Sequence, residues 1–312
     1  MKDIKNNFPK EICEQILKTS EKGGILKWQQ CKSICQQLGL TTQELMTRLL
    51  PAAASFSKPT ISGFQVGAVL RGEIKDQSGA ANLYFGANLE FPNQPLSYSL
   101  HAEQSAISNA WVAKEPSVTG LAISAPPCGH CRQFLYEAVG SNDFPIFIPS
   151  EKLSKNLDEV TSLSKLLPSA FGPLDLGGHY FFEAPTFNAR TFEPIKSSSD
   201  NFVNQAIQQA GLSYAPYTNN YSACVIKTTD NKLVSGVSIE NAAYNPSVTA
   251  MASALNKLVF FDDDFSNVER IILVEQATKI SQKEFSQTML NSFGIDVELE
   301  YLNLTSLKNK VQ

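Results

Sequence analysis

The chain has 312 residues, 43% of them hydrophobic and 18% charged, a composition with room for two ordinary soluble domains and a small extra piece. Its formal net charge is −4 and it has no dense Lys/Arg block, which argues against a nucleic-acid partner, because phosphate backbones demand many neutralising cations. No stretch is apolar and long enough to cross a bilayer, and Met1-Lys2-Asp3-Ile4-Lys5 lacks the apolar core of a secretion signal, so a cytoplasmic protein with no membrane partner is expected.

Taken in order, residues 1–50 read as a small N-terminal helical segment. Trp28, Cys31, Cys35 and Leu38 fall on one helical stripe, with Gly39 as its stop. Cys31 and Cys35 have no third ligand nearby, so core packing is their expected role. Pro51-Ala52-Ala53-Ala54 is expected to end this piece. Residues 64–70 read as a strand in which Gly67 marks a close backbone approach, 71–81 as a polar turn, and 83–91 as a second strand closing a hairpin. Asn88 and Glu90 then share one face. A loop with Pro92 and Pro95 leads to a helix beginning near His101. Residues 118–124 form a buried strand, and Pro126-Pro127 leads into a helix that carries Cys128, Cys131, Phe134, Leu135 and Ala138, with Gly140 just past its end. Residues 144–148 are another strand. This alternation after a hairpin predicts a mixed sheet with helices packed on it. The polar stretch 186–201 reads as a linker.

The chemistry concentrates in His101-Ala102-Glu103 and Pro127-Cys128-Gly129-His130-Cys131. Cys128 and Cys131 at a helix start place both sulfurs on one face of the first turn, where the positive end of the helix favours thiolates. His101 supplies a third ligand from a second helix start. Three protein ligands leave the fourth tetrahedral position to water, the mark of a catalytic zinc. Two thiolates and a neutral imidazole cancel the ion's 2+ charge, so a nearby base helps activate that water. Glu103, two residues past the ligand, stands ready to take and return the proton. A lone C-x-x-C also reads as a redox pair or half a structural knuckle. The preceding Pro127 and the His-x-Glu favour the catalytic reading, which is the known pattern of zinc deaminases acting on nucleobases. His130 reads as a supporting residue beside the ligands rather than a fourth ligand. The six cysteines show no disulfide spacing, and thiolate ligands suit a reducing compartment.

These motifs resemble the cytidine deaminase family in its dimeric, two-domain form. The resemblance runs through Ser62-Gly63-Phe64-Gln65-Val66-Gly67-Ala68-Val69, Gly86-Ala87-Asn88-Leu89-Glu90-Phe91, the two metal motifs, and Ala170-Phe171-Gly172-Pro173. It implies a three-layer α/β/α fold with a mixed sheet, duplicated, and a homodimer holding one Zn2+ per subunit. It implies hydrolysis of free cytidine and 2′-deoxycytidine to the uridines and ammonia. It further implies that Asn88 and Glu90 bind the ribose, that Phe64 packs on the base, and that the backbone near Ala102 and Cys128 holds the reacting centre. Phe171, Ala242 and Ala243 are expected to reach across to the other subunit's site. One departure is Pro126, which stands where the family usually carries a small hydroxyl residue; its carbonyl still faces a leaving amino group.

On this reading 51–185 is the catalytic domain and 186–312 a degenerate copy. Ala223-Cys224-Val225 echoes Gly67-Ala68-Val69, Ser238-Ile239-Glu240 echoes Asn88-Leu89-Glu90, and Val248-Thr249-Ala250-Met251 echoes Leu100-His101-Ala102-Glu103. In that register His101 becomes Thr249, Glu103 becomes Met251, and no cysteine follows Cys224. A half without these groups has an architectural role.

Overall fold

The computed structural model describes residues 7–18, 23–140, 143–149, 159–183, 191–194, 198–261 and 265–306. The Met1-Lys5 stretch, the start of the 153–175 segment and parts of the 186–201 linker lie outside them.

The first half opens with α1 (Lys10–Leu17), β1 (Ile25–Leu26), α2 (Trp28–Leu38), α3 (Thr42–Arg48) and α4 (Leu50–Ala54). Helix α2 buries Cys31 and Ile34 and stops at Gly39, whose φ of 63° is left-handed. Two expectations change here. The N-terminal segment is not purely helical: β1 pairs antiparallel with the later strand at Ile25↔Tyr84 and so joins the first sheet. Pro51 does not end the segment either. It sits in the first turn of α4, where its missing N–H costs nothing.

The predicted hairpin is β2 (Gly67–Ile74) and β3 (Ala81–Ala87), antiparallel. Residues 64–66 precede the strand rather than belonging to it, and 88–90 follow β3 around a single bridge at Leu89. Next come α5 (Ala102–Val112), β4 (Val118–Ile123), α6 (Gly129–Val139) and β5 (Pro145–Ile148). Then β6 (Glu159–Ser162) pairs antiparallel with β5, and the short α7 (Leu163–Leu166) follows. The sheet order is β1-β3-β2-β4-β5-β6, and only β4 and β5 run parallel among its described pairs.

Close approaches show how the layers form. A Cβ on Gly67 would lie 2.4 Å from the Ala54 nitrogen of α4. One on Gly86, whose register partner is Ala68, would lie 2.1 Å from the Ala102 carbonyl oxygen of α5. Neighbouring strand residues face opposite ways. Helices α4 and α5 therefore press on opposite faces of the sheet, giving the expected α/β/α layering.

The second half repeats this plan with β7 (Phe192–Pro194), α8 (Asn201–Ala210), β8 (Ser222–Thr228), β9 (Leu233–Val237), α9 (Ala250–Val259), β10 (Val268–Gln276), α10 (Lys283–Ser292) and β11 (Leu299–Ser306). Its order, β9-β8-β10-β11-β7, matches β3-β2-β4-β5-β6 in sequence of directions, with β10 and β11 the parallel pair. The stretch read as linker therefore contributes β7, an edge strand of the second sheet. Gly236 repeats Gly86: a Cβ there would lie 2.1 Å from the Ala254 nitrogen of α9.

Helices α5 and α9 join the halves about a local pseudo-twofold. Ser105 and Ser253 stand at one position counted from their helix starts, Ser108 and Asn256 at another. The hydrogen bonds cross over: Asn256 Nδ2 donates to Ser105 Oγ at 2.7 Å, and the Ser108 and Ser253 hydroxyls meet at 2.6 Å. This reciprocity is that of an isologous interface built within one chain.

Candidate metal centre

Two helix starts converge at the first half's sheet. His101 is the N-cap of α5 and Cys128 the N-cap of α6, with Cys131 in the first turn of α6. Both caps are extended, so each residue stands just before its helix. The His101 N–H donates to Gln104 Oε1 at 3.0 Å, which fixes the entry to α5. Arg132 fixes the entry to α6 by donating to the Pro127 carbonyl at 2.8 Å.

His101 Nδ1 lies 3.5 Å from Cys128 Sγ and 3.2 Å from Cys131 Sγ, and the two sulfurs are 3.7 Å apart. A tetrahedral zinc with Zn–S near ~2.3 Å and Zn–N near ~2.0 Å requires edges of roughly 3.8 Å between sulfurs and roughly 3.5 Å from sulfur to nitrogen. The observed triangle fits that ion with little movement. It is the only such cluster of metal-binding side chains among the described residues, and Glu103 is not in it. The two thiols are pushed in opposite directions. The Cys128 thiol is held down at about 3 by the Cys131 and His101 contacts, while Cys131 is pushed up by the Cys128 thiolate and by burial. A bound metal would hold both as thiolates. His130 stays outside the cluster, its Nε2 3.0 Å from the Asn245 carbonyl and its ring edge-on to His101.

A cavity of about 260 Å³ opens in front of the cluster. Phe64, Asn88, Glu90, His101, Ala102, Glu103 and Cys128 all line it. Glu103 is 4% exposed, and burial raises its carboxyl above the usual carboxylate range. Such a group accepts and returns a proton more readily near neutrality than a solvated glutamate does.

Glu90 and Asn88, the two residues expected to bind a ribose, are tightly tethered. Glu90 Oε2 accepts the N–H groups of Ile61 and Ser62, both at 2.8 Å, and Oε1 accepts the Ser62 hydroxyl at 2.6 Å. Burial acts to raise this carboxyl, but the Ser62 and Ile61 donors and nearby His101 outweigh it, leaving Glu90 below its ordinary value. Asn88 holds the 64–66 segment at both ends, accepting from the Val66 N–H at 2.9 Å and donating to the Phe64 carbonyl at 3.1 Å. Phe64 itself is 62% exposed at the cavity mouth.

The other three expected residues lie elsewhere in this chain. The Phe171 carbonyl accepts from Gln133 on α6, and its ring is half exposed. The Ala242 N–H donates to Glu137 Oε2, and Ala243 follows it in the same loop. Neither Phe171 nor the 242–243 loop lines the first half's cavity within a single chain.

Sequence reasoning missed Ser62, the hydroxyl that aims Glu90, because nothing in the sequence links positions 28 residues apart. It also missed Glu137. This fully buried carboxylate on α6 accepts the hydroxyls of Tyr214 at 2.8 Å and Tyr217 at 2.5 Å, tying the ligand-bearing helix to the second half.

Two family models, each described as "Cytidine and deoxycytidylate deaminase zinc-binding region", match residues 40–145 and 163–287. A cytidine deaminase of Haemophilus influenzae is 39% identical over 290 residues, spanning 92% of each chain. One from a Shewanella species (strain MR-4) is 40% identical over 280 residues, spanning 89% of this chain and 88% of its own. A crystal structure of cytidine deaminase from Burkholderia pseudomallei, 24% identical, covers 41% of this chain and 97% of its own with a TM-score of 0.34.

Proposed function

The chain belongs to the cytidine deaminase family, and from that premise we propose how its own residues divide the reaction. The protein hydrolyses cytidine and 2′-deoxycytidine to uridine and 2′-deoxyuridine, releasing ammonia. His101 Nδ1, Cys128 Sγ and Cys131 Sγ would hold the zinc. The bound ion supplies the Lewis acidity that makes water a competent nucleophile near neutral pH. Glu103 would take one proton from that water and deliver it to N3 of the pyrimidine as C4 is attacked, then take the remaining proton from the new C4 hydroxyl and deliver it to the amino group, which leaves as ammonia while the C4 carbonyl forms. Asn88 and Glu90 grip the ribose, Phe64 covers the base, and the Ala102 backbone faces the reacting carbon. None of the residues lining the cavity is Lys or Arg, which suits a free nucleoside over one carrying a phosphate.

The observation that carries this reading is the meeting of three metal donors, a buried carboxylate and the Asn88–Glu90 pair in one cavity. Glu103→Gln is the direct test. Its zinc content should match the parent's while the ultraviolet change of cytidine loss slows by at least about 100-fold, the usual worth of a general acid–base group. Near-parental kcat in E103Q would remove Glu103 from the mechanism.

We further read 51–185 as catalytic, 1–50 as an accessory segment woven into its sheet, and 186–312 as the architectural copy. The working form is a homodimer. Its support is a set of exposed apolar side chains in the first half: Phe64, Leu96 at 72% and Phe171 at 46%. Phe171, Ala242 and Ala243 then complete the partner's site. Mixing Glu103→Gln chains with Phe171→Ala chains checks this. Re-associated mixtures should contain one class of site intact in both respects, with cytidine KM restored toward the parent's. A monomer in sedimentation, or a KM in F171A equal to the parent's, speaks against it. No helix among the described residues is long and apolar enough to cross a membrane; a cytoplasmic location accords with the thiolate ligands.

A further inference from the structure

We propose that the second half's own cavity binds a ribonucleoside and leaves it unchanged, gripping the sugar through Glu240. The proposal rests on the reading of Glu90 as a ribose ligand. The cavity measures about 890 Å³, larger than the catalytic one and ample for a nucleoside.

Glu240 stands where Glu90 stands. Each follows a residue, Ile239 or Leu89, that forms one parallel and one antiparallel bridge, to Tyr214 and Val248 or to Lys58 and Leu100. Each is held by the same kind of donors. Glu240 Oε2 accepts the Tyr217 N–H at 2.9 Å and the Thr218 N–H at 3.2 Å, and Oε1 accepts the Thr218 hydroxyl. Two backbone N–H groups and one hydroxyl thus fix both carboxylates, at 8% and 9% exposure. A carboxylate held in this way keeps acceptor capacity for the hydroxyls of a sugar. Tyr217 and Tyr244, with ring centroids 6.4 Å apart, line the same cavity and offer aromatic faces to a base.

The other end of the cavity explains the absence of turnover. Where the first half has its metal ligands, Gln282 at the start of α10 ties the elements together. Its Oε1 accepts the Ala250 N–H at 3.0 Å, and its Nε2 donates to Asn220 Oδ1 at 3.1 Å and Ser222 Oγ at 2.7 Å. Thr249 and Met251 occupy the places of His101 and Glu103. The sugar-binding end survives and the reactive end has been closed by an amide network.

Equilibrium dialysis of the zinc-loaded full chain with labelled uridine, which cannot be deaminated, tests this. The parent should show a second saturable site besides the catalytic one. Glu240→Gln should weaken that second site by roughly 10-fold or more while cytidine turnover stays at the parent's rate. Glu90→Gln should instead raise cytidine KM and spare the second site. Ile280 is 45% exposed and lines the cavity, and it meets the buried network through its backbone carbonyl, which accepts from Asn220 Nδ2 at 3.4 Å, so Ile280→Trp blocks entry with the side chain and should also abolish the second site. A single site in the parent, or a second site unmoved in both E240Q and I280W, overturns the proposal. An unchanged KM in E90Q overturns the ribose reading of Glu90 instead.

Discussion

At the scale of single residues, the centre depends on side chains whose directions are fixed by hydrogen bonds from distant positions. Ser62 is the clearest case. Its hydroxyl and N–H both hold Glu90, and without the hydroxyl one carboxylate oxygen loses its anchor. In Ser62→Ala we expect cytidine KM to rise by roughly 3–10-fold, the worth of about one charge-assisted hydrogen bond, with kcat changed less. The pH profile should move as well. In the parent, Glu90 sits below its ordinary carboxylate value, so the ribose contact proposed for it should persist as pH falls past that value and be lost only lower. Removing a donor that favours the charged form raises the folded pKa, so S62A should lose affinity at a higher pH. Steady-state kinetics from pH 4 to 7 measure both effects; a parallel profile would mean Ser62 does not aim Glu90. The meeting of His101, Cys128 and Cys131 beside Glu103 was legible in sequence because their spacing is local and their chemistry exclusive. Ser62 and Glu137 were not, because a serine or glutamate in a chain has no signature until its partner is known.

At the scale of elements, the helix starts were readable and the short strands were not. The starts of α5 and α6 are written in His101, Pro127 and Cys128, and Gly140 closes α6 with a φ of 55°. The strands β1 and β7 are two and three residues long, and they exist only because a sheet edge distant in sequence accepts them. No periodicity can be read from so few residues. Pro51 misled for a related reason, since proline marks a first helical turn as well as a break. The contact with most consequence for the centre is that of α5 on β3. Gly86 lets the first turn of α5, with Ala102 and Glu103, lie directly on the strand. In Gly86→Ala the added methyl meets backbone, which cannot rotate away, so α5 must shift. We expect a loss of about 1–3 kcal/mol in stability and weakened zinc retention, because His101 moves with the helix start. Gly236→Ala makes the same intrusion under α9, where no metal ligand stands. It should cost similar stability and leave zinc binding far less affected. Metal content after dialysis against a weak chelator separates the two variants; equal zinc loss in both would detach the Gly86 contact from the geometry of the centre.

At the scale of the whole molecule, the duplicated halves and the N-terminal segment meet at one half-buried cation. Lys257 on α9 donates to the Gly23 carbonyl at 2.7 Å and to Asn109 Oδ1 on α5. Asn109 in turn donates to the Gly23, Gly24 and Phe85 carbonyls, so one cluster spans the segment before β1, the first sheet and the second half. Loss of hydration, with some repulsion from Lys27, pulls the Lys257 ammonium down to about 7. In the unfolded chain it titrates near ~10.4. Between those values the unfolded chain holds a proton that the folded chain has released, so stability rises with pH across the window, and the full penalty applies below about 7. The two acceptors offset part of the lost hydration, which leaves an expected gain on the order of 1–3 kcal/mol from pH 7 to 10. Lys257→Met keeps the apolar stem and removes the titration. The melting temperature of the parent should therefore gain on that of K257M as pH rises through this window, and other titrating groups cancel in the difference. A difference that stays constant from pH 7 to 10 would show that Lys257 remains charged where the halves join.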